Sequence, residues 1–132
     1  MTDADARLER LVAAEEGECC PGDAAARVDE LRGVAGRLPD AAADRAALQT
    51  LGDATRHRLA RVLAAAGDER CVCELAPLVD VSESAVSHAL ADLADAGLVD
   101  RRKDGQWRYY RATERTRRVL DALDATREVP VR

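Results

Sequence analysis

The chain has 132 residues, with 25 acidic and 20 basic side chains and a formal net charge of -5. That length suits one domain of ordinary size, and 47% apolar residues is too much Leu, Val and Ala for a disordered chain. No stretch approaches the roughly 20 uninterrupted apolar residues of a membrane span, and the N-terminus has no signal-like run, so a cytoplasmic protein without a membrane partner is expected.

Taken in order, residues 3–16 read as a helix with Leu8, Leu11 and Val12 at helical spacing and Gly17 as its stop. Gly17, Pro21 and Gly22 surround Cys19 and Cys20 with helix breakers, which puts this vicinal pair in a turn or arm. A second helix is expected from Asp23 to Val34, with Val28, Leu31 and Val34 on one face, closed by Gly36 and Pro39. Residues 1–40 therefore form an N-terminal helical arm. From Ala41 the pattern strengthens. Leu48 and Leu51 precede Gly52, and Asp53 can cap a helix carrying Leu59, Val62 and Leu63 that Gly67 ends.

A short helix over residues 71–79 follows, with Leu75, Leu78 and Val79 apolar and Pro77 in its first turns. Ser82 then reads as the N-cap of a helix reaching Ala96, with Val86, Leu90 and Leu93 facing the core. After Gly97 the period changes. Two runs, Leu98–Lys103 and Gln106–Arg111, flank Asp104-Gly105, a short-range hairpin signal. Trp107 and Tyr109 share one strand face and Tyr110 the other, with core packing the first assignment for Trp107. A last helix, Thr113–Thr126, carries Val119, Leu120 and Leu123. Mainly helical elements, then a basic hairpin and a closing helix, describe a winged helix-turn-helix domain over residues 41–127, with a tail at 128–132.

The charge is uneven. The first 55 residues hold 12 acidic and 6 basic side chains, whereas residues 98–132 hold 6 acidic and 10 basic. A locally basic end can bind nucleic acid even on an acidic protein. Lys103 is the chain's single lysine; abundant Asp and Glu beside it is also the composition of a high-salt cytoplasm. In a helix-turn-helix the second helix enters the major groove N-terminus first, so Ser84, Ser87 and His88 would meet phosphates or base edges. Ser82 is assigned to capping. Arg101, Arg102, Lys103 and Arg108 make a cationic wing tip suited to phosphate and minor-groove contacts. Not all of them can point the same way on two strands, and one of the arginines 101 and 111 is free to face protein carboxylates instead. His57, without a second histidine nearby, is given a structural or phosphate-proximal role. No HExxH, phosphate-binding glycine loop or nucleophile triad occurs, so no enzyme is expected.

Cysteines come in two close pairs, Cys19-Cys20 and Cys71-Val72-Cys73, a layout better suited to reduced thiols than to a disulfide scaffold. On an ideal helix residues two apart diverge by about 200 degrees. The sulfurs of Cys71 and Cys73 can converge only if the first lies in a pre-helical turn. Thiolates select soft or borderline ions: As(III) and Sb(III), for which three sulfurs suffice, or Zn(II), Cd(II) and Pb(II), for which four suit. A disulfide-forming redox switch between the two pairs is a further use, and a DNA binder that ignores both ions and oxidants, its cysteines merely packed, is the last reading.

The segments Leu51-Gly52-Asp53-Ala54-Thr55-Arg56-His57-Arg58-Leu59, Cys71-Val72-Cys73-Glu74-Leu75, Ser82-Glu83-Ser84-Ala85-Val86-Ser87-His88-Ala89-Leu90, Ala96-Gly97-Leu98-Val99 and Trp107-Arg108-Tyr109-Tyr110 resemble the ArsR/SmtB family of metal-responsive repressors. The resemblance covers residues 41–127. It implies a homodimer, with the helix near residues 41–51 and the last helix at the interface. It also implies binding to double-stranded operator DNA that is relieved by a metal or metalloid ion. Cys71 and Cys73 match the first two positions of the family's arsenic and antimony motif, and Ala76 stands at the third. Cys19 and Cys20 resemble the arm cysteines that complete the set in other members, often from the partner subunit. The family's zinc site on the last helix would need a histidine; only Asp121, Asp124 and Glu128 are present, so that site is not expected.

Overall fold

The structure is a computed structural model and describes residues 3–16 and 22–128. The chain divides into two units, residues 1–40 and 41–132. The first contains α1 (Asp3–Glu16) and α2 (Asp23–Gly36), which pack on each other and share an ion pair between Glu15 and Arg27. Val12 is buried, but α2 buries no residue: Leu31 and Val34, expected on its apolar face, are exposed.

The second unit runs α3 (Ala42–Leu51), α4 (Ala54–Ala66), β1 (Arg70–Cys71), α5 (Val72–Leu75), a 3-10 turn (Ala76–Leu78), α6 (Glu83–Asp95), β2 (Val99–Asp104), β3 (Trp107–Ala112) and α7 (Glu114–Thr126). Its helices start where the capping residues require. Asp53 accepts the Arg56 N–H, Ser82 the Ala85 N–H and Thr113 the Thr116 N–H, each filling one donor that the first turn cannot use. Leu59, Leu63, Leu75, Val86, Leu90, Leu93, Leu98 and Tyr110 form the buried centre. The last helix is tied to it by the Thr116 hydroxyl, which donates to the Leu98 carbonyl at 2.6 Å.

Three local features differ from the sequence expectation. The single helix expected over 71–79 is a strand, one α-turn and a 3-10 turn, because Cys71 is extended (φ -76°, ψ 151°) and Pro77 provides no N–H for a continuing helix. The hairpin is a three-stranded antiparallel sheet in the order β1-β3-β2, with Arg70 opposite Tyr110 and Cys71 opposite Tyr109. Its turn is Gly105-Gln106 rather than Asp104-Gly105. Gly105 has φ +61° and Gln106 stays negative, the φ pattern of a type II′ turn, and Asp104 pairs with Trp107 as the last strand residue.

The aromatic assignment also reverses. Trp107 is half exposed at the wing tip, and Tyr110, three residues nearer the core, is the buried ring. Among the described residues, no helix is long and apolar enough to cross a membrane.

Candidate functional site

Helix α6 presents two faces. Val86, Ala89, Leu90 and Leu93 are buried, which fixes the rotation of the helix. Ser84 and His88, four residues apart, are exposed on the outer side, while Ser87 is half-buried. Ser84 and His88 border an open groove with Thr55 and Arg56 of α4. Arg56, which sequence reasoning did not single out, holds this corner. Its Nε donates to the Thr50 carbonyl at 2.8 Å, and its Nη1 lies 3.6 Å from the Asp92 carboxylate of α6. From the other end of the turn Arg58 Nε donates to the Leu78 carbonyl at 2.9 Å. Two arginines of α4 thus brace the 3-10 turn and the last turns of α6. His57 is half-buried, and its Nε2 accepts from Arg61 Nε at 3.1 Å.

In the wing, residues directly opposite on paired strands share a face. Lys103 faces Arg108, and Arg101 faces Tyr110, so three cations share one side. Arg102 is on the other side with Tyr109 and Trp107. It grips Glu69 through three contacts of 2.6–3.1 Å, and its guanidinium carbon lies 4.7 Å from the centre of the Tyr109 ring. Its guanidinium holds the Glu69 carboxyl below the usual carboxylate range. Of the two arginines left free to face a protein carboxylate, Arg111 does so, standing opposite Asp100 and near enough to Glu69 to help lower its pKa, while the hydrogen-bonded contact to Glu69 is made by Arg102. Among the described residues, no carboxylate pairs with Arg101, Lys103 or Arg108.

The thiol pair is assembled by the break between β1 and α5. Because Cys71 is extended and precedes the helix, its sulfur turns back toward Cys73, and the two Sγ atoms stand 2.8 Å apart. Cys71 Sγ also accepts the Cys73 N–H at 3.4 Å, and the Glu74 carboxylate accepts the Cys71 N–H at 3.1 Å, closing a reciprocal cap. Cys71 is buried and Cys73 exposed. The bond from the Cys73 thiol to Cys71, with desolvation and the nearby Glu74, pushes the Cys73 thiol pKa up. An ion binding here must therefore displace a held proton. Two convergent sulfurs suit a soft ion but do not complete its shell. Among the described residues, no group of three or more His, Cys, Asp or Glu could hold a metal ion. Cys19 and Cys20 lie outside the described residues. On α7, Asp124 is already engaged by Arg61 at 2.7 Å and Arg127 at 2.6 Å.

Residues 53–101 match the family profile described as bacterial regulatory protein, arsR family. A Halobacterium salinarum protein carrying the name of an arsenical resistance operon repressor, ArsR, is 46% identical over 123 residues, which cover 92% of this chain and 95% of that one. The chain belongs to the arsR family. A second Halobacterium salinarum protein, ArsR2, is 51% identical over 65% of this chain and 72% of its own. A crystal structure titled as a possible transcriptional regulator for arsenical resistance superposes with a TM-score of 0.51 at 37% identity, covering 63% of this chain and 84% of that one. This arsR-family protein is thus a non-catalytic, DNA-binding transcriptional regulator of the winged helix-turn-helix type. Its profile match spans α4 through the start of the wing and includes the thiol pair.

Proposed function

We propose that this regulator is a homodimeric repressor that occupies double-stranded operator DNA and leaves it when As(III) or Sb(III) is bound by the thiolates of Cys71 and Cys73. Cys19 or Cys20 supplies the remaining sulfur. The observation that carries the reading is the 2.8 Å convergence of Cys71 and Cys73 at the start of the helix-turn-helix. The names of the two Halobacterium proteins support it. Ser84, Ser87 and His88 read the major groove, and Arg101, Lys103 and Arg108 contact phosphates from the wing. Leu48 on α3 and Leu123 on α7 remain exposed and are assigned to the dimer contact; an ion pair between Asp44 and Arg115 holds the two helices together. Linkage requires the ion to bind the DNA-free form more tightly, and each tenfold preference corresponds to about 1.4 kcal/mol.

The test is a titration of reduced protein, on labelled DNA from its own upstream region, with As(III), Sb(III), Cd(II), Pb(II) and Zn(II). Release by the trivalent ions, abolished in the Cys71→Ser/Cys73→Ser variant that still binds DNA, is the expected result. Release of that double variant at wild-type concentrations would overturn the site. Release by the divalent ions alone would reassign the four thiols to cadmium, lead or zinc control. Release on oxidation without any ion would reassign them to a redox switch.

A further inference from the structure

Cys71 does more than offer a sulfur. Its backbone is one of the two residues of β1, and it lies opposite Tyr109 of the wing. Two residues upstream, Glu69 holds Arg102 in a forked contact, and Arg102 lies over the ring of the same Tyr109. The circuit is closed: Cys71 to Tyr109 by strand pairing, Tyr109 to Arg102 by cation–π contact, Arg102 to Glu69 by the ion pair, and Glu69 back to Cys71 along the chain. We propose that the Glu69–Arg102–Tyr109 clamp is the positioning element that carries ion capture at Cys71 and Cys73 into the wing, an inference that rests on the thiol-responsive reading above.

Capture has to disturb this circuit. An ion that bridges the two sulfurs replaces the Cys73 S–H contact to Cys71 Sγ that now joins them. The ion also competes for the Cys71 sulfur that now accepts the Cys73 N–H and caps α5. The strain falls between α5, which carries Cys73, and β1, which carries Cys71. A strand paired through only two residues could slip while the wing stayed in place. The fork from Glu69, next to β1, ties this segment to β2, and the ring contact ties β2 to β3, so the wing follows. Arg101, Lys103 and Arg108 then leave the phosphates together with the helix-turn-helix.

Trp107, the chain's single tryptophan, is half exposed at the wing tip and reports wing movement without DNA. The experiment compares wild type with Glu69→Gln, and with Tyr109→Leu as a second variant, in three measurements. Thiolate-to-ion charge-transfer absorption reads capture of Cd(II) and As(III). Trp107 emission reads the wing. The ratio of DNA Kd values with and without ion reads coupling. Both variants are expected to capture ions within twofold of wild type, to lose the Trp107 response, and to show a coupling ratio reduced at least tenfold. A wild-type ratio and Trp107 response in Glu69→Gln would overturn the clamp, as would loss of ion capture in that variant. Absence of charge-transfer absorption in the wild type would instead overturn the thiol reading itself.

Discussion

Helix α6 and the β2–β3 wing both turn polar side chains outward from one core, but different forces hold them. α6 is fixed by burial: Val86, Leu90 and Leu93 have no exposed surface, and Ser82 caps its start. The wing has little buried mass of its own beyond Val99, Tyr110 and Ala112, and its outer half is held by strand pairing and the Glu69–Arg102 contact. A recognition surface set by burial keeps one orientation until the domain unfolds. One set by a short strand and an exposed ion pair can be re-aimed at lower cost, which is where a regulator needs its freedom.

The largest effect that can break this contrast is truncation inside α6. Leu90→Ala leaves a cavity at a fully buried position. It should cost about 2–5 kcal/mol and lower the melting temperature by ten degrees or more, seen by circular dichroism. A loss under ~1 kcal/mol would mean that α6 is not held by its core face. The wing should behave in the opposite way. Replacing Arg101, Lys103 and Arg108 with glutamine should leave stability within about 0.5 kcal/mol. DNA affinity should drop, and the slope of log K against log salt should fall by about 0.9 for each phosphate that is no longer neutralised. Arg102→Gln, by contrast, should change the slope little, since Glu69 already holds that guanidinium. An equal fall from Arg102→Gln would show that the clamp opens on DNA and would remove the distinction between the two wing faces.

The same contrast explains what is legible in the sequence. Caps at Asp53, Ser82 and Thr113, core positions at helical spacing and the hairpin are local signals, so α4, α6, α7 and the wing can be read along the chain. The requirement that Cys71 precede its helix if the sulfurs are to converge also follows from helical geometry, and its extended backbone meets it. What escapes is long-range. Arg70–Cys71 is too short to advertise a strand, and its pairing with Tyr109 and Tyr110 exists only once residues about 40 positions away are folded beside it. Arg102 looks like its neighbours because only Glu69, 33 residues upstream, separates it from them. The size of Trp107 suggests a core position, yet Asp104↔Trp107 is the last pair before the turn, and the ring there is half exposed.

The smallest effect concerns α7, which charge as well as burial ties to the core. Asp124 accepts from Arg61 of α4 and from Arg127, and both bonds hold its carboxyl below the usual aspartate range. A carboxyl whose folded-state pKa is depressed adds stability that is complete above its unfolded value of about 3.9 and is lost as pH falls through the folded value. Melting temperatures of wild type and Asp124→Asn should therefore differ by a constant amount from pH 7 down to about pH 5, and the difference should shrink steadily as the pH falls further. With Asp124 about half exposed, 1 M salt should shrink that difference at neutral pH. A difference that did not shrink on acidification, or ignored salt, would show that the asparagine disturbs packing rather than charge. α7 would then be held as α6 is, by its buried Thr116 and Leu120, and the ion pair would only decorate a contact made by burial.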